Sequence, residues 1–115
     1  MYNIQRVYTY QHQQPAVLID RLWPRGISKI RLSGVEWIKA VAPSGPLRKW
    51  LHQNPENHYQ EFCRLYQQEL SLPQQQEALR TLKQLHEQHQ QLWLLTAAKD
   101  IAQSHVPVLL AQLQA

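Results

Sequence analysis

The sequence predicts a small α/β fold: a sheet of about three strands with a parallel central pair, covered by several helices. Three observations carry that expectation. Ala16-Val17-Leu18-Ile19 and Leu92-Trp93-Leu94-Leu95-Thr96 are uninterrupted apolar runs, the mark of strands buried on both faces. Between them, apolar residues recur at helical spacing. The order of elements is strand, strand, several helices, strand, helix, so the two apolar strands become parallel neighbours joined by a helical crossover.

Each element has its own justification. Tyr2 to Tyr10 is rich in Tyr, Val, Ile and Thr and reads as a first strand. The polar break Gln11-His12-Gln13-Gln14-Pro15 is too short for a helical crossover, so a hairpin to Ala16–Ile19 is expected. Arg21 to Lys29 contains Pro24 and Gly26 and must be a loop. From Ser33, the spacing of Val35, Ile38 and Ala42 predicts a helix stopped by Pro43-Ser44-Gly45-Pro46, and Leu47 to His52 a short one. Asn54-Pro55-Glu56 supplies a cap, a first-turn proline and a dipole-matched acid for the next helix. Tyr59, Phe62, Cys63, Tyr66 and Leu70 then mark its apolar face, which places Cys63 in the core as a buried, unreactive thiol. Leu72-Pro73 breaks that helix, and another runs to about His89. Ala97 to Ser104 is a loop, and Val106, Leu109, Leu110 and Leu113 define the last helix, with Ser104 as its cap.

Composition narrows the class. A length of 115 residues suits one domain, 1–115, able to bury a core without disulfides or structural metal. Four Trp, five Tyr and 43% hydrophobic residues argue against disorder, and a single Cys excludes an internal disulfide. Met1 to Arg6 lacks the apolar run of a secretory leader, and Leu92 to Ala98 is too short to span a bilayer. A cytoplasmic protein with no membrane partner is the expectation. Charge is uneven: residues 1–50 carry +6 and residues 51–115 carry −2, so an anionic partner would meet the first half, unless this is simply a solvated basic face.

In parallel α/β sheets, ligands sit outside the carboxyl ends of the strands. Here those ends lead into Asp20-Arg21-Leu22-Trp23-Pro24-Arg25-Gly26 and Ala97-Ala98-Lys99-Asp100. Arg21, Arg25 and Lys29 are three cations within nine residues, suited to a phosphate or carboxylate, and Lys99 joins them from the other strand end. Alternatively Arg21 pairs with Asp20 or Asp100 and braces the loop. Trp23 would either stack on a ligand ring or plug the core, the second being the commoner fate of tryptophan. Asp20 and Asp100 could divide acid and base roles or remain ionised beside the cations. Asp100 with His105 is a candidate acid–base pair, against a purely packing role for His105 at the start of the last helix. His86 and His89 lack the spacing and third ligand of a zinc motif, so no metal site is expected, and nothing specifies a cofactor.

Val17-Leu18-Ile19-Asp20-Arg21-Leu22-Trp23-Pro24-Arg25-Gly26-Ile27-Ser28-Lys29 resembles the signature of the YeaO-like family, a domain of unknown function (number 488). Glu36-Trp37-Ile38-Lys39, Ala42-Pro43-Ser44, Leu47-Arg48-Lys49-Trp50 and Leu94-Leu95-Thr96-Ala97-Ala98-Lys99-Asp100 extend the resemblance over nearly the whole chain. It implies a small cytoplasmic, chiefly bacterial α/β protein with one site shared by the two loops, and it implies no particular reaction. Some members carry a methyltransferase label, but this chain has no glycine-rich adenosylmethionine loop. The family's late Asn-His-Ala string is Ser104-His105-Val106 here, followed by Pro107, so the His is kept and its amide neighbour is not. Two functions compete: a pocket for a small anionic or phosphorylated ligand, with or without catalysis, and a nucleic-acid-binding or non-catalytic interaction protein, with Trp23 stacking on a base. The oligomeric state is not encoded in any feature of the sequence.

Overall fold

The computed structural model describes residues 1–115 throughout. It contains strands β1 (Tyr2–Arg6), β2 (Ala16–Leu18), β3 (Glu36–Trp37) and β4 (Leu92–Thr96), and helices α1 (Gly45–Gln53), α2 (Pro55–Leu70), α3 (Pro73–His89) and α4 (Val106–Gln114). The sheet has four strands in the order β1-β4-β2-β3, and every pairing is parallel. The fold class is therefore the expected α/β, with β2 and β4 the adjacent parallel pair, and four strands in place of about three.

Alternation along the strands divides the core in two. Val17 and Ile19, with Leu92 and Leu94, face the helices. All four helices meet them there, through Leu47 and Leu51, Phe62 and Tyr66, Leu79 and Leu82, and Leu109 and Leu113. Ala16, Leu18 and Leu95 point the other way, into a smaller cluster with Val7, Tyr10 and Leu32, flanked by Trp23, Val35 and Trp37. That second face is covered by irregular chain rather than by helices. Both faces of β2 and β4 are thus dry, which is why their sequences show no alternation.

Four expectations are corrected. β1 stops at Arg6 and gives way to a 3₁₀ turn at Val7–Thr9, so the strand does not reach Tyr10. The hairpin is absent: β1 and β2 are both parallel neighbours of β4. The chain from Val7 to Pro15 returns along the second face, where Val7 and Tyr10 bury themselves, so an extended segment does the covering a crossover helix would otherwise do. The helix expected from Ser33 is instead the edge strand β3 followed by a 3₁₀ turn at Lys39–Val41. Gly34, at φ +84°, turns the chain into that strand, and Ile38 N–H continues the ladder to the Leu18 carbonyl at 3.0 Å. β-branched and aromatic residues at Val35-Glu36-Trp37-Ile38 favour the extended form that the apolar spacing had masked. Cys63 is half-buried at the flank of the main core, not enclosed within it.

The helix boundaries follow their signals. The Ser44 hydroxyl accepts from Leu47 N–H at 3.3 Å to open α1, and the Asn54 side chain accepts from Asn57 N–H at 3.4 Å to open α2. Glu69, near the end of α2, accepts from both the amide and the hydroxyl of Ser44, at 2.8 and 2.6 Å. This ties the start of α1 to the far end of its neighbour. No helix is long and apolar enough to cross a membrane.

Candidate functional site

The register of β2 against β4 pairs Leu18 with Leu95, and Ile19 N–H extends the ladder to the Leu95 carbonyl. One step further, Asp20 lies opposite Ala97. Its carboxylate accepts from the Ala97 amide at 2.7 Å and from the Thr96 hydroxyl at 2.8 Å. Thr96 Oγ1 in turn accepts from the Ala98 amide at 3.1 Å. Asp20 therefore staples the two strand ends together, and its backbone carbonyl also accepts from the Trp37 indole N–H at 2.8 Å. These charge-assisted bonds account for a carboxylate at the edge of an apolar core.

His105, just before α4, leans onto this staple. Its Nε2 lies 3.0 Å from the Ile19 carbonyl and 3.4 Å from Asp20 Oδ1, with the two side chains 11% and 15% exposed. The Tyr66 ring stands edge-on to the imidazole at 6.1 Å between centroids. Burial pushes the His105 pKa below its ordinary value, against the opposing pull of Asp20 and the Ile19 carbonyl. The carboxylate that meets His105 is thus that of Asp20. Asp100, expected as its partner, remains exposed on the following loop and makes no bond to the ring.

Around these groups opens a cleft of about 830 Å³ at the carboxyl end of the sheet. It brings together Asp20, Arg21, Trp23 and Arg25 from the first loop, Lys99 and Asp100 from the second, and His105. Lys29 does not line it. Arg21 is fastened to the carbonyls of Ala42 and Pro43, at 3.1 and 3.2 Å, so it braces the loop through backbone oxygens and not through either aspartate. Trp23 donates to the Ile27 carbonyl at 2.6 Å and meets Trp37 edge-to-face at 5.4 Å. It fixes the loop against the second core cluster while keeping one part on the cleft wall.

Four contributors escaped sequence reasoning. Arg48 and His52, on α1, line the cleft. They are four residues apart and follow the buried Leu47 and Leu51, so helical phase alone could have placed them on the same exposed flank. Burial and the nearby Arg48 cation lower the His52 pKa. Arg6, at the end of β1, donates to the Ala98 carbonyl at 3.1 Å and shapes the second loop. The Tyr8 hydroxyl donates to the Arg25 carbonyl at 3.2 Å and shapes the first. The last two have no local signal, since their partners are distant in sequence.

The cleft's charges are unbalanced. Arg21, Arg25, Arg48 and Lys99 face it against Asp20 and Asp100. Neither the Arg64–Glu61 salt bridge nor the His105–Asp20 contact engages any of these four cations.

Comparison with known proteins adds a relationship. The family model DUF488-N3i, described as the inactive DUF488-N3 subclade, matches residues 1–115. The uncharacterized protein Rv3073c of Mycobacterium tuberculosis is 42% identical over 93 residues, covering 81% of this chain and 75% of that protein. The uncharacterized protein YeaO of Escherichia coli is 40% identical over 111 residues, covering 93% of each. No solved structure matches the chain.

Proposed function

Because the chain belongs to the DUF488-N3i family, the inactive DUF488-N3 subclade and YeaO-like in sequence, we propose that it is a binding protein for a small anionic or phosphorylated molecule, held in the cleft at the strand ends without being turned over. The observation that carries this reading is the set of cations without acidic partners: Arg25, Arg48 and Lys99 converge on one concavity, and no carboxylate pairs with any of them. Like charges gathered in a cleft repel one another unless an anion joins them. Guanidinium groups bind such anions through paired N–H donors. The family description supports binding over catalysis, and so does the environment of Asp20. Its oxygens are spent on Thr96 and Ala97, which leaves little capacity for proton transfer.

Titration with inorganic phosphate and pyrophosphate, followed by calorimetry or ligand-dependent rise in Tm, tests the reading. Arg25→Ala should weaken binding by about 1.5–3 kcal/mol, the range for hydrogen bonds to charged groups. It should leave the Tm of the free protein nearly unchanged, because the side chain is exposed. Unaltered affinity with a lowered Tm would make Arg25 a structural loop residue and remove the main support. A nucleic-acid partner would instead show binding that collapses steeply with added salt.

A further inference from the structure

We infer that His105 is the hydrogen-bond acceptor of the cleft, so that the molecule bound there carries a hydroxyl or N–H donor as well as its anionic group. The inference rests on the binding reading above and narrows the ligand class from any small anion to phosphorylated or carboxylated polyols and their like.

The tautomer decides it. A carbonyl oxygen can only accept, so the 3.0 Å contact of Nε2 with the Ile19 carbonyl requires the proton on Nε2. Asp20 Oδ1, 3.4 Å away on the same nitrogen, holds the proton there. In the neutral ring, Nδ1 then bears a lone pair and no hydrogen. The protein supplies no donor for it. The hydroxyls nearby are committed: Thr96 to Asp20, Tyr66 to the Val41 carbonyl, Ser104 to the Ile101 carbonyl, and Tyr59 to the Ser104 carbonyl. Gln5 Oε1 is the one buried side-chain N or O atom left without a partner, so the unbonded Nδ1 is not sealed in. His105 lines the cleft, and the cleft is where that lone pair finds its donor. Burial favours the neutral ring, which keeps the acceptor available at neutral pH. The cations supply donors only, so a ligand with acceptors alone would leave Nδ1 to water.

Two probes separate the possibilities: methyl phosphate, an anion without a stable donor beside it, and glycerol 3-phosphate, the same anion with two hydroxyls. The wild-type protein should bind glycerol 3-phosphate about 2- to 12-fold more tightly, the worth of one ordinary hydrogen bond. His105→Gln keeps a donor near the Ile19 carbonyl and takes the acceptor away from the position of Nδ1, so it should erase that preference. His105→Asn, which sets its amide oxygen near the position of Nδ1, should retain the preference. Nitrogen NMR of the imidazole in the free protein should show the Nε2–H form. A ring protonated on Nδ1, or equal affinity for the two probes in the wild-type protein, overturns the inference while the anion site stands. If neither probe binds, the anion site and the inference fall together. Should a variant not fold, the wild-type preference and the ring tautomer remain decisive.

Discussion

Asp20 illustrates how far single residues can be read from the sequence. Its position after an apolar strand marked it as a site residue, and it does line the cleft. Its partners were not legible: the Thr96 hydroxyl and the Ala97 amide reach it only because β2 and β4 are in register, a long-range fact that no local pattern encodes. The same holds for Arg21, whose carbonyl partners lie at Ala42 and Pro43. Charge alone suggested an anion or an aspartate, and backbone oxygens leave no charge signature. The residue scale also fixes a pH dependence. His105 and His52 both have pKa values below their ordinary 6.5 in the folded protein. The unfolded chain therefore binds more protons as pH falls, and stability declines with it. The contribution is fully present above about pH 6.5, the value for unfolded histidine, and is lost as pH drops towards the lowered folded values. Thermal melts between pH 8 and pH 5 should show Tm falling with acidification, and His105→Gln should flatten that slope. A Tm that rises on acidification would contradict the direction assigned to both rings.

Elements with strong periodicity or clear caps were legible, and short elements were not. α2 and α3 announce themselves through proline at their first turn and leucines or aromatics at helical spacing. β3 has only Glu36 and Trp37, and its identity depends on the neighbouring β2 backbone, so the apolar positions around it fit a helix equally well. The missing hairpin has a similar cause. A short connection excludes a crossover helix, but it does not exclude an extended return across a sheet face. Gly34 is the element-scale test of the β3 entry. Gly26 and Gly34 both have positive φ, so alanine at either should cost about 1–2 kcal/mol. A Cβ at Gly26 meets open space, whereas at Gly34 it would lie 3.1 Å from Gln14 Nε2 and displace that side chain. Gly34→Ala should therefore destabilise more than Gly26→Ala in urea unfolding. Equal costs would mean the contact with Gln14 carries no weight.

At the scale of the molecule, the sheet is covered on one side by four helices and on the other by chain with little regular structure. If both covers exclude water, truncations on either face should be comparable. Leu94→Ala, beneath the helices, and Leu95→Ala, beneath the irregular cover, should each cost about 2–5 kcal/mol, the range for emptied core positions. A Leu95→Ala cost well under 1 kcal/mol would show the irregular cover to be a loose one. The alternation that divides these neighbours between two clusters was invisible in the sequence, because both faces are apolar.

The place of β4 in the sheet has a consequence for how the protein is made. β4 lies between β1 and β2 and is hydrogen-bonded to both, yet it follows three helices in the chain. Tyr2 must wait for Leu92. On the ribosome, the first two strands emerge with no common partner, and no amount of waiting lets them pair with each other in the native way. Helices can form as they appear, but the sheet comes together only when its middle strand leaves the exit tunnel. Late closure through contacts distant in sequence slows folding and leaves apolar strands uncovered in the nascent chain. The core therefore stays open until β4 is free to join β1 and β2.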